Sequence, residues 1–333
     1  MNTDYDVIII GAGPAGSTCG KVLSKNNIKT LIIEKRKIPR YKACGGLVSD
    51  RALEVITKYF GNIPQNIICS NSKVFAAISK DAVKFIPVRD SLHIKTERSK
   101  LDEWLARSSN TDLMEESYYL SHNNINNDLI EVNIIKNNKI MKLRCKYLVG
   151  ADGGNSKLRR NIDNEYKLKK MFISRQDVYE GEINIDKDKY YFIKNENFSD
   201  FFSWYNIENN NIFIGSIFYI ENKSKNYVNI IKTHLEKIFN LKTTKKIRSE
   251  VCLGDSRLSE DRYNFGNKNI IFIGEASGLI YSFGEGLPSA FISGEYGAYS
   301  IIESIETKTP CAKIYKNKIQ PEKEYSRTGN NVW

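Results

Sequence analysis

The first residues able to do chemistry are the glycines of Gly11-Ala-Gly-Pro-Ala-Gly16. They come directly after the apolar run Asp6-Val-Ile-Ile-Ile10 and before a helical stretch that reaches about Ser24. A strand entering such a turn and leaving as a helix builds an anion site. Gly11 permits the tight turn and Gly13 lets a pyrophosphate approach the backbone. Gly16 allows close packing of the helix, whose N-terminus faces the phosphates, and Ala15 lies in the same turn. Thr30-Leu-Ile-Ile-Glu34 supplies a second strand, so the segment reads as a nucleotide-binding βαβ unit. Glu34 stands eighteen residues beyond Gly16 at the end of that strand, where a carboxylate accepts from ribose hydroxyls, and Lys35 follows it.

Three later segments bear on which dinucleotide is bound. They are Thr96-Glu-Arg-Ser-Lys-Leu-Asp102 with Leu105, Leu148-Val-Gly-Ala-Asp-Gly153 ahead of Ser156 and Arg159, and Ile273-Gly-Glu-Ala-Ser-Gly278 running on to Gly284-Glu-Gly286. In order and spacing these segments and the glycine turn resemble the flavoprotein group that includes aromatic hydroxylases and geranylgeranyl reductases. The resemblance reaches to about Glu306. Pro39-Arg-Tyr-Lys-Ala-Cys-Gly-Gly46, followed by Ser49 and Arg51-Ala-Leu, is most similar to the geranylgeranyl reductase family, which carries a Pro-Arg-x-Lys-x-Cys-Gly-Gly segment here.

The resemblance implies tight, noncovalent FAD. It places Cys44 and Gly45 beside the flavin ring and Arg98 and Asp152 among the cofactor contacts. Glu275 falls at the ribityl and pyrophosphate region. Gly286 and Leu287 open the last helix, with backbone N–H groups toward the N1/O2 edge of the ring, where a helix N-terminus stabilises an anionic reduced flavin. The family usually has Asp where this chain has Glu275, and the longer carboxylate still reaches a hydroxyl. A Tyr-x-Trp-x-Phe-Pro segment of prenyl reductases corresponds here to Phe202-Ser-Trp-Tyr-Asn-Ile207, which keeps Trp204 and lacks the proline. The chain ends soon after the last helix, which implies a more open cavity than in larger relatives.

Several side chains carry two readings. Cys44 is either a small apolar residue in a turn or a thiol that assists reaction near the flavin. Trp204 is either sheet core or the lining of a substrate pocket. Tyr281, in the loop before Gly284, is the second substrate candidate. His93 alternates with Leu92 and Ile94, and is expected to face solvent without a catalytic role.

These residues need a scaffold, and the chain has the material for one. Its 333 residues, 41% hydrophobic against 27% charged, suffice for a sizeable core, so disorder is excluded. The expected fold is α/β, a Rossmann-like FAD-binding domain with a smaller inserted antiparallel β-sheet substrate domain. The FAD-binding unit is assigned to residues 1–72, 98–170 and 260–306, the substrate domain to 73–97 and 171–259, and a basic tail to 307–333.

Six scattered cysteines form no CxxC pair and three histidines leave little for a metal site or a Ser/His/Asp triad. Free thiols and a cytoplasmic location are expected. The 50 Lys+Arg against 39 Asp+Glu give a net charge of +11, spread diffusely among asparagines. That is consistent with a solvated face or with peripheral contact at the inner face of a membrane, and no nucleic-acid partner is expected.

The activity implied is reduction of carbon–carbon double bonds in an isoprenoid or other apolar small molecule by hydride from reduced flavin. The alternatives are a flavin monooxygenase or oxidase acting on a small molecule or peptide side chain, and a flavin-containing binding partner without turnover. No second strand-GxGxxG-helix provides a nicotinamide domain, so the external donor is either transiently bound NAD(P)H or a separate reduced protein.

Overall fold

The computed structural model describes residues 3–77, 84–87, 93–126, 128–163, 171–208, 210–255, 263–281 and 285–328. Leu92 and Gly284, invoked above, lie outside them.

The chain opens with β1 (Val7–Ile10), α1 (Pro14–Lys25) and β2 (Thr30–Ile33), and every residue of both strands is buried. Pro14 at the first helical position suits α1, because proline presets the helical φ and lacks only a donor that would have no partner there. After β3 (Leu47–Val48), α2 (Asp50–Phe60) starts behind Ser49 at the N-cap position. Then come β4 (Ile68–Ala77), β5 (Ile86–Pro87), β6 (His93–Thr96), α3 (Arg98–Arg107) and β7 (Asp112–Met114). A meander of β8 (Ser117–Asn126), β9 (Leu129–Lys136) and β10 (Lys139–Cys145) follows. Its second turn holds Asn137 and Asn138 at φ of 50° and 59°, the left-handed pair that a two-residue hairpin turn demands.

The chain returns through β11 (Tyr147–Gly150) and α4 (Lys157–Ile162). It then lays down β12 (Met171–Glu182), β13 (Lys189–Ile193), β14 (Ser203–Glu208), β15 (Asn211–Tyr219), α5 (Tyr227–Ile238) and β16 (Lys242–Asp255). The last part is β17 (Gly266–Asn267), β18 (Ile270–Phe272), α6 (Leu287–Thr307), α7 (Cys311–Lys318) and α8 (Gln320–Thr328).

A six-stranded sheet, ordered β17-β18-β11-β1-β2-β7, forms the centre of the first unit. Its β18-β11-β1-β2-β7 pairings are parallel. One face packs on helices through Ile9, Val149, Leu105 and Phe291; the other packs on the three-stranded meander through Ile8, Leu148, Val132 and Phe272. Strands covered on both faces are apolar throughout, which is why they read as continuous runs.

The remaining strands form a nine-stranded sheet, larger than the first rather than smaller. It is antiparallel except where β4 and β13 run parallel. Leu47–Val48 and the start of Ile68–Ala77, assigned above to the FAD-binding unit by its boundary at residue 72, pair within this second sheet.

Two other expectations are corrected. His93 is only 9% exposed, because the face of β6 that it shares with Lys95, itself 2% exposed, is a covered one. The basic tail is helical: Tyr315 and Ile319 are fully buried and Glu322 is 1% exposed. Lysines interleave there with Cys311, Ala312, Ile314, Tyr315 and Ile319 at helical spacing, so net charge concealed an amphipathic pattern.

Candidate functional site

Parallel strands end together, so the residues just past them are neighbours. Ile10 pairs with Ile33 and Gly150, and Gly150 with Phe272. The glycine turn, Glu34, Asp152 and Gly274 therefore share the carboxyl edge of one sheet, where open α/β sheets bind ligands.

The three glycines do different work. Gly11 has φ of +110°, and a Cβ there would meet the Ala151 carbonyl oxygen at 2.4 Å. A Cβ on Gly16 would lie 2.0 Å from the Gly11 carbonyl oxygen, so both serve packing. Gly13 has an ordinary φ of −78°, and a Cβ would find only an Arg40 nitrogen at 3.8 Å. Its open face lies at the N-terminus of α1, as a pyrophosphate requires.

Around this turn the motif residues Glu34, Arg40, Arg98 and Asp102 form a buried charge network whose pairing the motifs do not show. Glu34, 3% exposed, accepts from the Ala12 N–H at 3.1 Å and the Arg36 N–H at 3.0 Å. Arg40 pairs with Glu34 at 3.3 Å and with Asp102 at 2.8 Å. Arg98 donates Nε and Nη2 to Asp102 at 3.0 and 2.9 Å. Burial alone would raise the Asp102 pKa, but the Arg98 and Arg40 guanidiniums reverse this and hold the carboxyl below its usual range. Arg40 stands over Gly13, within the Pro39–Gly46 segment that drew attention for its Cys-Gly-Gly end.

Other expected residues spread along the same edge. Asp152 accepts from the backbone N–H groups of Lys157 and Leu158 at 2.7 and 3.3 Å, which caps α4. Arg159, 1% exposed, donates to the Ala276 carbonyl at 3.1 Å and ties this loop to the Gly274–Ser277 turn. Glu275 has Lys42 at 3.9 Å. Gly286 is the N-cap of α6, and Leu287 is its first residue. Ala15 is buried in α1, whereas Lys35 is exposed.

Cys44 is half-buried and interacts with Arg98, and Gly45 abuts Tyr190. Trp204, 3% exposed, lies flat over Gly215, where a Cβ would collide with its ring, and donates Nε1 to Gln176 at 2.8 Å. It belongs to an apolar cluster with Phe172, Tyr190, Ile217 and Ile280, flanked by Leu47 and Phe202. The Tyr281 hydroxyl is committed elsewhere, donating to Glu322 at 2.7 Å and accepting from Arg51 at 2.5 Å. The structure thus brings Cys44, Gly45 and Arg98 together and ties Tyr281 to the C-terminal helix.

The residues present fit an FAD. Gly13 leaves an open cradle beside Arg40, and Tyr190 Oη is buried beside Gly45 without a hydrogen-bond partner. Burial pushes the Tyr190 pKa well up, so its hydroxyl remains a donor. Next to this lies a cleft of about 110 Å³ between Cys44, Gly45 and Arg98 on one side and Gln176, Asn206 and Arg248 on the other.

A family model described as FAD binding domain matches residues 4–59 and 99–268. Digeranylgeranylglycerophospholipid reductase of Thermoplasma acidophilum is 26% identical over 339 residues, covering 91% of this chain and 79% of that protein. Among solved structures, a geranylgeranyl bacteriochlorophyll reductase-like protein of the same organism superposes with a TM-score of 0.82 at 22% identity, covering 98% of this chain and 86% of the other. A triple mutant of a flavin-dependent brominase gives a TM-score of 0.75 at 18% identity, over 99% of this chain and 86% of its own. Among the described residues no helix is long and apolar enough to cross a membrane.

Proposed function

Because the chain belongs to the FAD-binding domain family and is an FAD-dependent oxidoreductase similar to geranylgeranyl reductases, we propose that it reduces carbon–carbon double bonds of an isoprenoid or another apolar small molecule. The observation that carries this reading is the buried aromatic and aliphatic cluster of Phe172, Trp204, Ile217 and Ile280, packed with Leu47 just past the Cys44-Gly-Gly46 segment. An apolar wall there favours a hydrocarbon over water.

Gly13, the N-terminus of α1, Arg40, Glu34 and Arg98 would hold the FAD, with Glu275 at its ribityl and pyrophosphate region and Gly286 and Leu287 toward its ring end. When bound, the cofactor supplies a two-electron carrier that gives hydride to an alkene carbon. The protein's own part is to orient the alkene, exclude water and keep a proton on Tyr190 Oη near Gly45. Electrons come from transiently bound NAD(P)H or a reduced protein, a reading supported by the single strand-GxGxxG-helix in the sequence. Peripheral contact with an anionic membrane is supported by exposed Ile140 and Met141 between Lys139 and Lys142 on β10.

The test is anaerobic reduction of the purified holoprotein, followed by mixing with a polyprenyl alkene or with oxygen. Flavin reoxidation by the alkene, with saturated product, is expected. Rapid reoxidation by oxygen in the presence of the alkene, with an oxygen atom inserted into it and the other released as water, supports a monooxygenase instead, and hydrogen peroxide with no oxygenated product supports an oxidase.

A further inference from the structure

Three successive rows on one face of the nine-stranded sheet connect Ile217, Trp204 and Asn206. Ser174, Cys252 and Ile217 share one row; Gln176, Glu250, Gly215 and Trp204 share the next; Val178, Arg248, Phe213 and Asn206 share the third. Rows two residues apart lie about 7 Å from each other on the same face. The first two rows carry the proposed substrate wall through Ile217 and Trp204. The third reaches the cleft beside Cys44, which Asn206, Phe213 and Arg248 line.

Asn206 is the informative residue. It is 2% exposed, and its Nδ2 has no hydrogen-bond partner. A buried amide donor left unpaired is costly, so the site is built to receive an acceptor. The surrounding charges say which kind. Each cation on the cleft wall already has a carboxylate: Arg248 with Glu250 at 2.7 Å, Lys95 with Glu208 at 3.1 Å, Arg98 with Asp102 at 2.9 Å and Lys42 with Glu275 at 3.9 Å. Lys95 is buried, which lowers its pKa and makes a further unpaired charge there less welcome. What the wall lacks is an oxygen atom, not a counter-ion.

The acceptor lies away from the Glu275 end of the expected cofactor site, while Cys44, Gly45 and Arg98, expected beside the flavin ring, form the facing wall of the cleft. Gly254, in the row of Phe172, abuts Glu275, since a Cβ there would lie 2.6 Å from Glu275 Oε1. The row of Asn206 is six residues further along β12, about 20 Å at strand rise.

We propose that this cleft is a binding subsite for an uncharged carbonyl group, as in an ester, amide or ketone, at the polar end of an otherwise apolar substrate. Asn206 Nδ2 donates to the carbonyl oxygen, and the apolar body lies along Trp204 and Ile217. The apolar body rests on the function proposed above; the carbonyl subsite is read from the cleft.

Calorimetric titration of the FAD-loaded protein separates the two. The probes are farnesene, methyl farnesoate, farnesoate and farnesyl monophosphate. Methyl farnesoate is expected to bind at least tenfold tighter than farnesene and no weaker than either charged probe. Asn206→Leu is expected to reduce methyl farnesoate to the affinity of farnesene while leaving farnesene and flavin content unchanged.

Equal binding of ester and hydrocarbon overturns the subsite and leaves the apolar wall standing. Preference for farnesoate or the phosphate overturns the uncharged carbonyl. Loss of flavin in Asn206→Leu with probe discrimination intact assigns the acceptor to the cofactor and overturns the proposal. Binding of no probe overturns both readings. The wild-type comparison needs no variant, so it decides the matter even if Asn206→Leu does not fold.

Discussion

The hydroxyl of Tyr190 stands where a side chain on Gly45 would begin: a Cβ at position 45 would meet Tyr190 Oη at 2.3 Å and Cζ at 2.8 Å. Tyr190 is 1% exposed and packs against Phe192 at a ring-centroid distance of 4.9 Å, so it has no room to withdraw. The glycine of the Cys-Gly-Gly segment is thus required by the second sheet as well as by any ligand.

Gly45→Ala is therefore expected to destabilise the apoprotein by about 1–3 kcal/mol through overpacking. Tyr190→Phe removes a buried hydroxyl without a partner and is expected to be neutral or stabilising by about 1 kcal/mol. The double variant should cost less than the sum, because the two sites touch. Denaturant unfolding of the four apoproteins is the measurement, and strict additivity would contradict the contact.

Gly13→Val is expected to abolish flavin retention while leaving the apoprotein folded. Its Cβ position is open to within 3.8 Å of Arg40 and its φ is ordinary, so the protein itself tolerates a side chain there. The readout is flavin absorbance per chain together with the apoprotein melting temperature. A variant with full flavin content would remove the glycine turn from the cofactor site.

Asp102, 2% exposed, pairs with both Arg98 and Arg40, and Glu34 supplies the second carboxylate to Arg40. Asp102→Asn leaves two guanidiniums without their shared carboxylate and is expected to cost about 3–5 kcal/mol. Because the folded pKa of Asp102 lies below its unfolded value, its contribution is present above the unfolded value, about 3.9, and is lost as pH falls through the folded one. Unfolding free energy measured against pH should therefore lose part of its acid-limb slope in the variant. An identical acid limb would show that the network does not titrate as described.

Cys44→Ser should leave flavin content nearly unchanged and alter turnover or product distribution about tenfold, or about 1.4 kcal/mol in the barrier. The thiol lines the cleft beside Arg98, and cofactor retention rests on other residues. A fall in melting temperature with turnover per flavin intact would assign Cys44 to structure alone.

Arg51 joins three elements, donating to the Tyr281 hydroxyl and to Glu322 at 2.8 Å. Arg51→Met leaves the Glu322 carboxyl, 1% exposed, without its cation. Since Arg51 itself is 35% exposed, the expected loss is about 1–2 kcal/mol rather than that of a fully buried pair. Hydrogen exchange should quicken about tenfold in α8 and remain unchanged in β1 and α1. Protection of α8 unchanged from the wild type would show that its docking does not depend on this pair.

The sequence by itself determined the local units: β1-α1-β2 with its glycine turn, the Glu34 position, the Asn137-Asn138 hairpin and the order of the motifs. Each depends on neighbours within a few turns of helix or one strand pair, where periodicity and turn chemistry act. The tertiary structure decided what depends on distant residues. Arg40 meets Asp102 across 62 positions, and Arg51 meets Glu322 across 271. His93 is buried because the face of β6 that it shares with Lys95 is covered, and Lys-rich α7 docks through Tyr315. Asn206 and Cys44 come to one cleft because the loop of residues 41–45 and the start of α3 lie against the nine-stranded sheet there. Burial and charge pairing belong to the three-dimensional neighbours of a residue, and a one-dimensional pattern does not contain them.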